Sequence, residues 1–298
     1  MTPETEKIWR VIDVLNWSKQ YLTEKGVESP QVEAEWILRE VLDCSRVDIY
    51  LRFEQPLSAA DLARCRQILQ QRVTGIPLQY VLGYTEFMGH RFSVTPDVLI
   101  PRQETEVIVE RTLALMQEKF SDRVRILDVG TGSGNIIISL LHAWPQAQGK
   151  GIDSSAAALK IAAQNARTLG VADRLQWEQR DVLRSFPEDD ESYEILISNP
   201  PYVAGEYFAK LPASVQNYEP HMALNPGDDA LVFYRRLTEM GHKLLSPDGF
   251  MIVEIGGDYQ EKAVRSVLED GGYKVRETVL DYLPQSRALI AWRKERLR

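Results

Sequence analysis

The chain has 298 residues, of which 44% are hydrophobic and 26% charged. These values exclude a mainly disordered or collagen-like chain and leave room for one large domain or two smaller ones. The net charge is −8; residues 1–80 hold 10 basic and 12 acidic residues and the remainder 25 and 31, so neither part has the basic excess of a dedicated nucleic-acid grip.

No apolar run approaches the roughly 20 residues that span a bilayer; Ile136-Ile137-Ile138 is broken by Ser139. The opening Met1-Thr2-Pro3-Glu4-Thr5-Glu6 is acidic, unlike a secretory signal. Two cysteines, Cys44 and Cys65, make neither a disulfide framework nor a four-ligand zinc site. Four scattered histidines show no metal-ligand spacing, so no metal is expected. These features read as a reducing, cytoplasmic compartment.

The first third is patterned as helices. Thr2-Pro3 is an N-cap followed by proline, after which Ile8, Val11, Ile12, Leu15 and Leu22 recur at helical spacing until Gly26. Ser29-Pro30 opens a second stripe through Val32, Trp36, Ile37 and Val41. Ser45 caps a short helix through Leu51. Ser58 opens a fourth, with Leu62, Cys65, Ile68, Leu69 and Val73 inward and Gly75 at the stop. Cys65 lies on that apolar stripe, which reads as a buried structural thiol. Residues 1–82 are thus expected to form a helical domain for recognition or placement of a substrate.

Residues 83–99 change style. Phe87, Phe92 and Val94 flank Gly89-His90, which predicts a β-hairpin linker with His90 at its turn. Residues 100–298 then alternate strand and helix. Strands are predicted at Arg125–Val129, Gln148–Asp153, Leu175–Arg180, Glu194–Ser198 and Phe250–Ile255. Helices are predicted at Ile136–Ala143, Ala156–Leu169, Ala230–Leu245 and Gln260–Glu269. This pattern calls for an α/β fold with a parallel sheet covered on both faces. Tyr273–Leu280 and Arg287–Arg293 are too close in sequence for a helical crossover and should pair antiparallel.

Three features carry chemistry. The first is Asp128-Val129-Gly130-Thr131-Gly132-Ser133-Gly134-Asn135, which follows an apolar strand and opens a helix. Glycines there admit positive φ and close approach of a ligand. The Gly-x-Gly-x-Gly spacing is not that of dinucleotide binders, and no Lys-Ser/Thr follows as in a P-loop. The acid ahead of the loop suits a cationic amine better than a pyrophosphate. The second feature is Asp153, one strand later, which can accept from both hydroxyls of a ribose or serve as a helix N-cap beside Ser154-Ser155. Asp181, at the end of the third strand, is either the neighbour of an adenine or a solvated loop acid.

The third feature is Asn199-Pro200-Pro201-Tyr202, after Ile195-Leu196-Ile197-Ser198. Consecutive prolines fix backbone direction and remove N–H donors. The carbonyl of Ser198 or Pro200, with the Asn199 side chain, can then hold a planar NH2 group by both hydrogens. Tyr202 offers a ring face for stacking.

At these residues the chain resembles S-adenosylmethionine-dependent methyltransferases that modify planar NH2 nitrogens, one branch acting on adenine in DNA and another on glutamine side chains. Leu99-Ile100-Pro101-Arg102-Gln103-Glu104-Thr105-Glu106 is similar to the signature of the peptide chain release factor N5-glutamine methyltransferases. Glu219-Pro220, Ala223-Leu224, Tyr234-Arg235 and Glu254-Ile255-Gly256 with Gln260 extend the likeness over nearly the whole chain. Thr105-Glu106 favours this branch over the related ribosomal protein glutamine methyltransferases. The family commonly has glycine where Pro226 and Ala230 stand. It also has a Gly-Arg-Asp-like stretch near Leu283-Pro284-Gln285-Ser286, where Arg287 alone keeps its place. An aromatic residue often follows the third-strand acid; here it is Val182, with Phe186 a substitute candidate for covering the adenine.

The resemblance implies a Rossmann-like methyltransferase domain that binds S-adenosyl-L-methionine, with an N-terminal helical domain that binds release factor. It implies methylation of the glutamine in the Gly-Gly-Gln loop of release factors, with no nucleic-acid substrate and no membrane. Asp128, Gly130, Thr131, Gly132, Ser133, Gly134, Asp153, Asp181, Val182 and Asn199 would contact the cofactor. Asn199, Pro200 and Tyr202 would carry catalysis. Pro201, Arg102 and Glu106 would join those three in holding the substrate. A DNA adenine methyltransferase would share Asn-Pro-Pro-Tyr but needs a cationic duplex-binding region. A non-catalytic module of the same fold is disfavoured by the intact Gly130, Gly132, Gly134, Asp153 and Asn199.

Overall fold

A computed structural model describes residues 8–187 and 192–294. The chain divides into two compact units, Met1–Gly83 and Tyr84–Arg298. No helix of the described residues is long and apolar enough to cross a membrane.

The first unit is helical: α1 (Val11–Glu24), α2 (Pro30–Leu42), α3 (Arg46–Leu51), α4 (Ala59–Arg72) and α5 (Leu78–Leu82). The Thr2-Pro3 start lies outside the described residues. Ser45 and Ser58 form reciprocal capping boxes: the Ser45 Oγ accepts from Asp48 N at 3.2 Å and the Ser58 Oγ from Asp61 N at 3.1 Å. Each such cap contributes about 1 kcal/mol. Val11, Leu15, Leu22, Ile37, Leu38, Ile49, Cys65, Ile68 and Leu69 build one core. Full burial of each aliphatic side chain contributes about 1.5–3 kcal/mol. Burial pushes the Cys65 thiol up to about 12, so it stays protonated and inert. Ile8 and Val32 were expected on the inner stripe and are instead exposed, at 71% and 49%. Periodicity marks a stripe, but its edges face whatever the neighbouring helices leave open. The short α5 gave no periodic signal.

The second unit begins with a hairpin, β1 (Tyr84–Phe87) and β2 (His90–Ser93), turned by Met88 and Gly89 at φ 50° and 73°. It contributes to this unit's core. Phe87 and Phe92 are buried edge to face, 5.9 Å apart. Ser93 N donates to Asn165 Oδ1 at 2.8 Å. His90 is half-buried against His142. Next come α6 (Gln103–Lys119), β3 (Arg125–Val129), α7 (Asn135–Ala143), β4 (Gln148–Asp153), α8 (Ala156–Thr168), β5 (Leu175–Gln179) and β6 (Tyr193–Ser198). Three short helices follow, α9 (Gly205–Phe208), α10 (Ala213–Tyr218) and α11 (His221–Leu224). The chain closes with α12 (Val232–Leu244), β7 (Leu245–Glu254), α13 (Asp258–Asp270), β8 (Tyr273–Leu280) and β9 (Ser286–Arg293).

The sheet order is β5-β4-β3-β6-β7-β9-β8, parallel through β7 and antiparallel at β9 and β8. Alternating strand residues face opposite layers. Ile126, Ile195, Ile197, Phe250 and Ile252 pack with α6 and α7; Leu127, Leu196, Met251 and Val253 pack with α12 and α13. β9 inserts between β7 and β8, so the expected antiparallel pair also extends the sheet. α6, α9, α10 and α11 were not predicted as helices, and β7 begins five residues earlier than its apolar run.

Strand order reverses at β3, which has β4 on one side and β6 on the other. Loops leaving such strands diverge to opposite faces and open a crevice at their carboxyl ends. Val129, Asp153 and Ser198 are the last residues of these three strands.

Candidate active site

The crevice is a cavity of about 350 Å³. Its floor is the loop from β3 to α7, where Gly130, Gly132 and Gly134 have φ of 73°, 54° and 79°. Gly130 N and Thr131 N donate to Ile152 O of β4 at 2.8 and 3.0 Å. The loop is therefore stapled to the neighbouring strand before it turns into α7. A Cβ built on Gly134 would lie 2.6 Å from Ile138 Cδ1 of α7 and 3.2 Å from Ala162 Cβ of α8, so this glycine admits close packing of the two helices. A Cβ on Gly132 meets no protein atom within 4 Å; it would stand in the open cavity.

Asp128 is buried beneath the loop. Its Oδ2 accepts from Thr131 Oγ1 at 2.7 Å, and its Oδ1 has no hydrogen-bond partner. Burial pushes this carboxyl up to about 7; the Thr131 hydroxyl opposes the shift and the nearby Asp153 adds to it. Asp153 lines the cavity and is also raised by burial, against the pull of backbone N–H groups from Ser155 and Gly132. Its Oδ2 accepts from Gly132 N and its Oδ1 from Ser155 N, both at 2.9 Å. The N-cap of α8 is Ser155, whose Oγ accepts from Ala158 N at 3.2 Å.

Asp181 and Val182 line the same cavity beyond β5. Asp181 Oδ1 accepts from Leu183 N at 3.0 Å, and Arg184 is its ion-pair partner. Phe186 is not among the lining residues. Its ring is covered by the Arg236 guanidinium, 3.6 Å from the centroid. The aromatic ring that does line the cavity is Phe233, at the start of α12. Sequence reasoning missed it, because a lone aromatic on a predicted helix looks like any core residue.

Ser198, Asn199, Pro200 and Pro201 line the opposite wall, with Arg102 and Thr105 beside them. Ser198 Oγ donates to Val129 O at 2.6 Å, which ties the proline turn to β3. Arg102 pairs with the buried Glu219 at 2.6 Å, and Glu219 also accepts from Ile100 N at 3.1 Å. Pro220, Met222, Ala223, Asn225, Pro226 and Gly227 close the rim. Gly227, beside Pro226, has a positive φ of 91°.

Four predicted residues are not among those that line the cavity: Asp128, beneath the loop, Gly134, the N-cap of α7, Glu106 and Tyr202. Glu106 points from α6 to the hairpin and accepts from Met88 N at 2.6 Å. Arg102 is the N-cap ahead of α6, with extended backbone at φ −103° and ψ 147°, so its side chain does not follow the helical spacing that directs Glu106. Tyr202 is partly buried behind the proline turn. Its hydroxyl donates to Glu254 Oε1 at 3.3 Å, so it is an anchor rather than the expected stacking platform. Glu254 itself was matched in sequence without a role.

A family model described as the PrmC N-terminal domain matches residues 13–83, and one described as a methyltransferase domain matches residues 120–277. The chain is 39% identical over 253 residues to a release factor glutamine methyltransferase of Geobacter sulfurreducens, covering 85% of this chain and 86% of that protein. It is 40% identical over 271 residues to one of Moorella thermoacetica, covering 91% and 94%. A third, of Cereibacter sphaeroides, is 36% identical over 284 residues, covering 95% and 98%. With such identity over nearly the full length of both partners, the chain belongs to the release factor glutamine methyltransferase family.

Proposed function

We propose that this protein transfers a methyl group from S-adenosyl-L-methionine to the side-chain amide nitrogen of the glutamine in the Gly-Gly-Gln loop of peptide chain release factors, in the cytoplasm. The observation that carries this reading is the meeting of Gly130–Ser133, Asp153 and Asn199-Pro200 around one cavity. The residues present suit such a cofactor: a floor that includes Gly130 and Gly132, the Asp153 carboxyl at the cavity wall, and beneath the loop the buried Asp128 Oδ1 without a hydrogen-bond partner. When bound, the cofactor supplies an electrophilic methyl on a sulfonium.

An amide nitrogen is a poor nucleophile, because its lone pair is delocalised into the carbonyl. Asn199 Oδ1 and the Pro200 carbonyl accept its two N–H bonds and aim the lone pair into the cavity. Orientation of this kind is worth up to about 7–11 kcal/mol. As nitrogen gains positive charge, both acceptors hold it more tightly than in the ground state. The methylated nitrogen is then strongly acidic and releases one proton to water, leaving the secondary amide; no dedicated base is needed.

Mass spectrometry of release factor incubated with enzyme and methyl donor tests the reading. One methyl group on the Gly-Gly-Gln glutamine is expected. Labelled methyl appearing on plasmid DNA instead would move the protein to the adenine branch.

Two further results are expected. Asp153→Ala should weaken methyl-donor binding by roughly 2–4 kcal/mol, the scale of charge-assisted hydrogen bonds plus the partners left unpaired. A calorimetric loss below about 0.5 kcal/mol would leave the carboxylate only as a brace for Gly132 and Ser155. Removal of residues 1–83, which have a core of their own, should weaken release factor binding while sparing methyl-donor affinity. Undiminished methylation by the folded remainder would show that the helical unit does not grip the substrate.

A further inference from the structure

The two ends of the Asn199 amide are chemically opposite: Oδ1 accepts and Nδ2 donates. Holding a substrate amide by its hydrogens requires Oδ1, not Nδ2, to face the cavity. The residues behind Asn199 bear on that choice. Thr105, in the first turn of α6, is 1% exposed, and its hydroxyl donates to Glu254 Oε2 at 2.8 Å. Glu254, the last residue of β7, is also 1% exposed; its Oε1 accepts from Tyr202, and its backbone carbonyl accepts from Tyr234 Oη at 2.9 Å. Two packed elements therefore hold this carboxylate in place.

A hydroxyl carries one proton. With that proton directed to Glu254, the Thr105 oxygen offers Asn199 only lone pairs. Asn199 Nδ2 faces it at 3.5 Å. This is long for a hydrogen bond, as catalytic contacts often are before substrate binds. An Oδ1 at the same place would set two lone-pair oxygens against each other.

We propose that Thr105 and Glu254 are positioning residues that fix the orientation of the Asn199 amide, turning its Oδ1 toward the substrate. The inference rests on the reading of Asn199 as the acceptor for the substrate amide. Burial raises the Glu254 carboxyl to about 7, a shift that the Thr105 and Tyr202 hydroxyls and the nearby Arg287 oppose. A buried acid at this spot is costly for the fold alone, which fits a role in the site.

The test is single-turnover methylation of release factor by the full chain, with methyl-donor affinity measured alongside. Thr105→Val keeps shape and removes the hydroxyl. It should lower the rate at saturation about tenfold or more, the scale of misplacing a reacting group, with KM for release factor and donor affinity nearly unchanged. Thr105→Ser should restore most of the rate. In an Asn199→Ala background, Thr105→Val should cost nothing further, because there is no amide left to orient. If valine disturbs packing, seen as lost donor affinity, Thr105→Ala takes its place. A wild-type rate in the hydroxyl-less variant, failure of serine to restore it, or a full effect persisting without Asn199 would each overturn the relay. Absence of methylation by the wild-type chain would instead overturn the functional reading itself.

Discussion

Asn199→Ala is expected to slow single-turnover methylation at least about 100-fold at saturating cofactor and release factor, by analogy with loss of one preorganised polar contact at a reacting centre. Binding of both should be almost untouched, since the lost hydrogen bond strengthens mainly as charge develops on nitrogen. Asn199→Asp keeps an acceptor but loses the donor that faces Thr105. It also adds a charge beside the buried Glu254. Aspartate should outperform alanine if acceptance is what matters, and fall below it if the contact to Thr105 does. A wild-type rate in the alanine variant would demote Asn-Pro-Pro-Tyr to a turn.

Gly132→Val is expected to abolish measurable methyl-donor binding. At φ 54° a β-branched residue is strained by about 1–2 kcal/mol. The larger effect is steric: its Cβ meets no protein atom within 4 Å because it projects into the cavity floor. The variant should therefore fold with a modestly lower Tm while calorimetry detects no binding. Gly132 N also donates to Asp153 Oδ2, so displacing the loop would disturb the second cofactor contact as well. Unchanged affinity would count decisively against the assignment of this loop.

Much of the molecule is legible in the sequence, because its signals are local. Strands β3 and β6 are short apolar runs bounded by polar or glycine-rich turns, a signal that survives any tertiary context, whereas β4, Gln-Gly-Lys-Gly-Ile-Asp, is legible only through the alternation around it. Capping boxes at Ser45 and Ser58 need only three residues each. The glycine loop, Asp153 and Asn199-Pro200 announce themselves because glycine, proline and strand-end acids are rarely placed without a backbone or ligand reason. The same residues carry the family likeness, which the relatives' identity over nearly the full chain supports.

Other features depend on residues far apart in sequence. Glu106 and Arg102 look equivalent in one motif, yet helix α6 sends one to the hairpin and leaves the other at the cavity. Phe233 reaches the cavity wall and Phe186 is covered by Arg236, and nothing local distinguishes the two rings. Tyr202 turns away because Glu254, 52 residues later, accepts its hydroxyl. Thr105 meets Glu254 across 149 residues, and Asn199 across 94. The sequence by itself determined the βα alternation, the helical first unit and the loops that bear the chemistry, since each follows from local periodicity and backbone preference. Which side chains of those loops meet, and which way the Asn199 amide faces, was decided only when the parallel strands set the loops side by side, because hydrogen bonding and burial depend on distance in space.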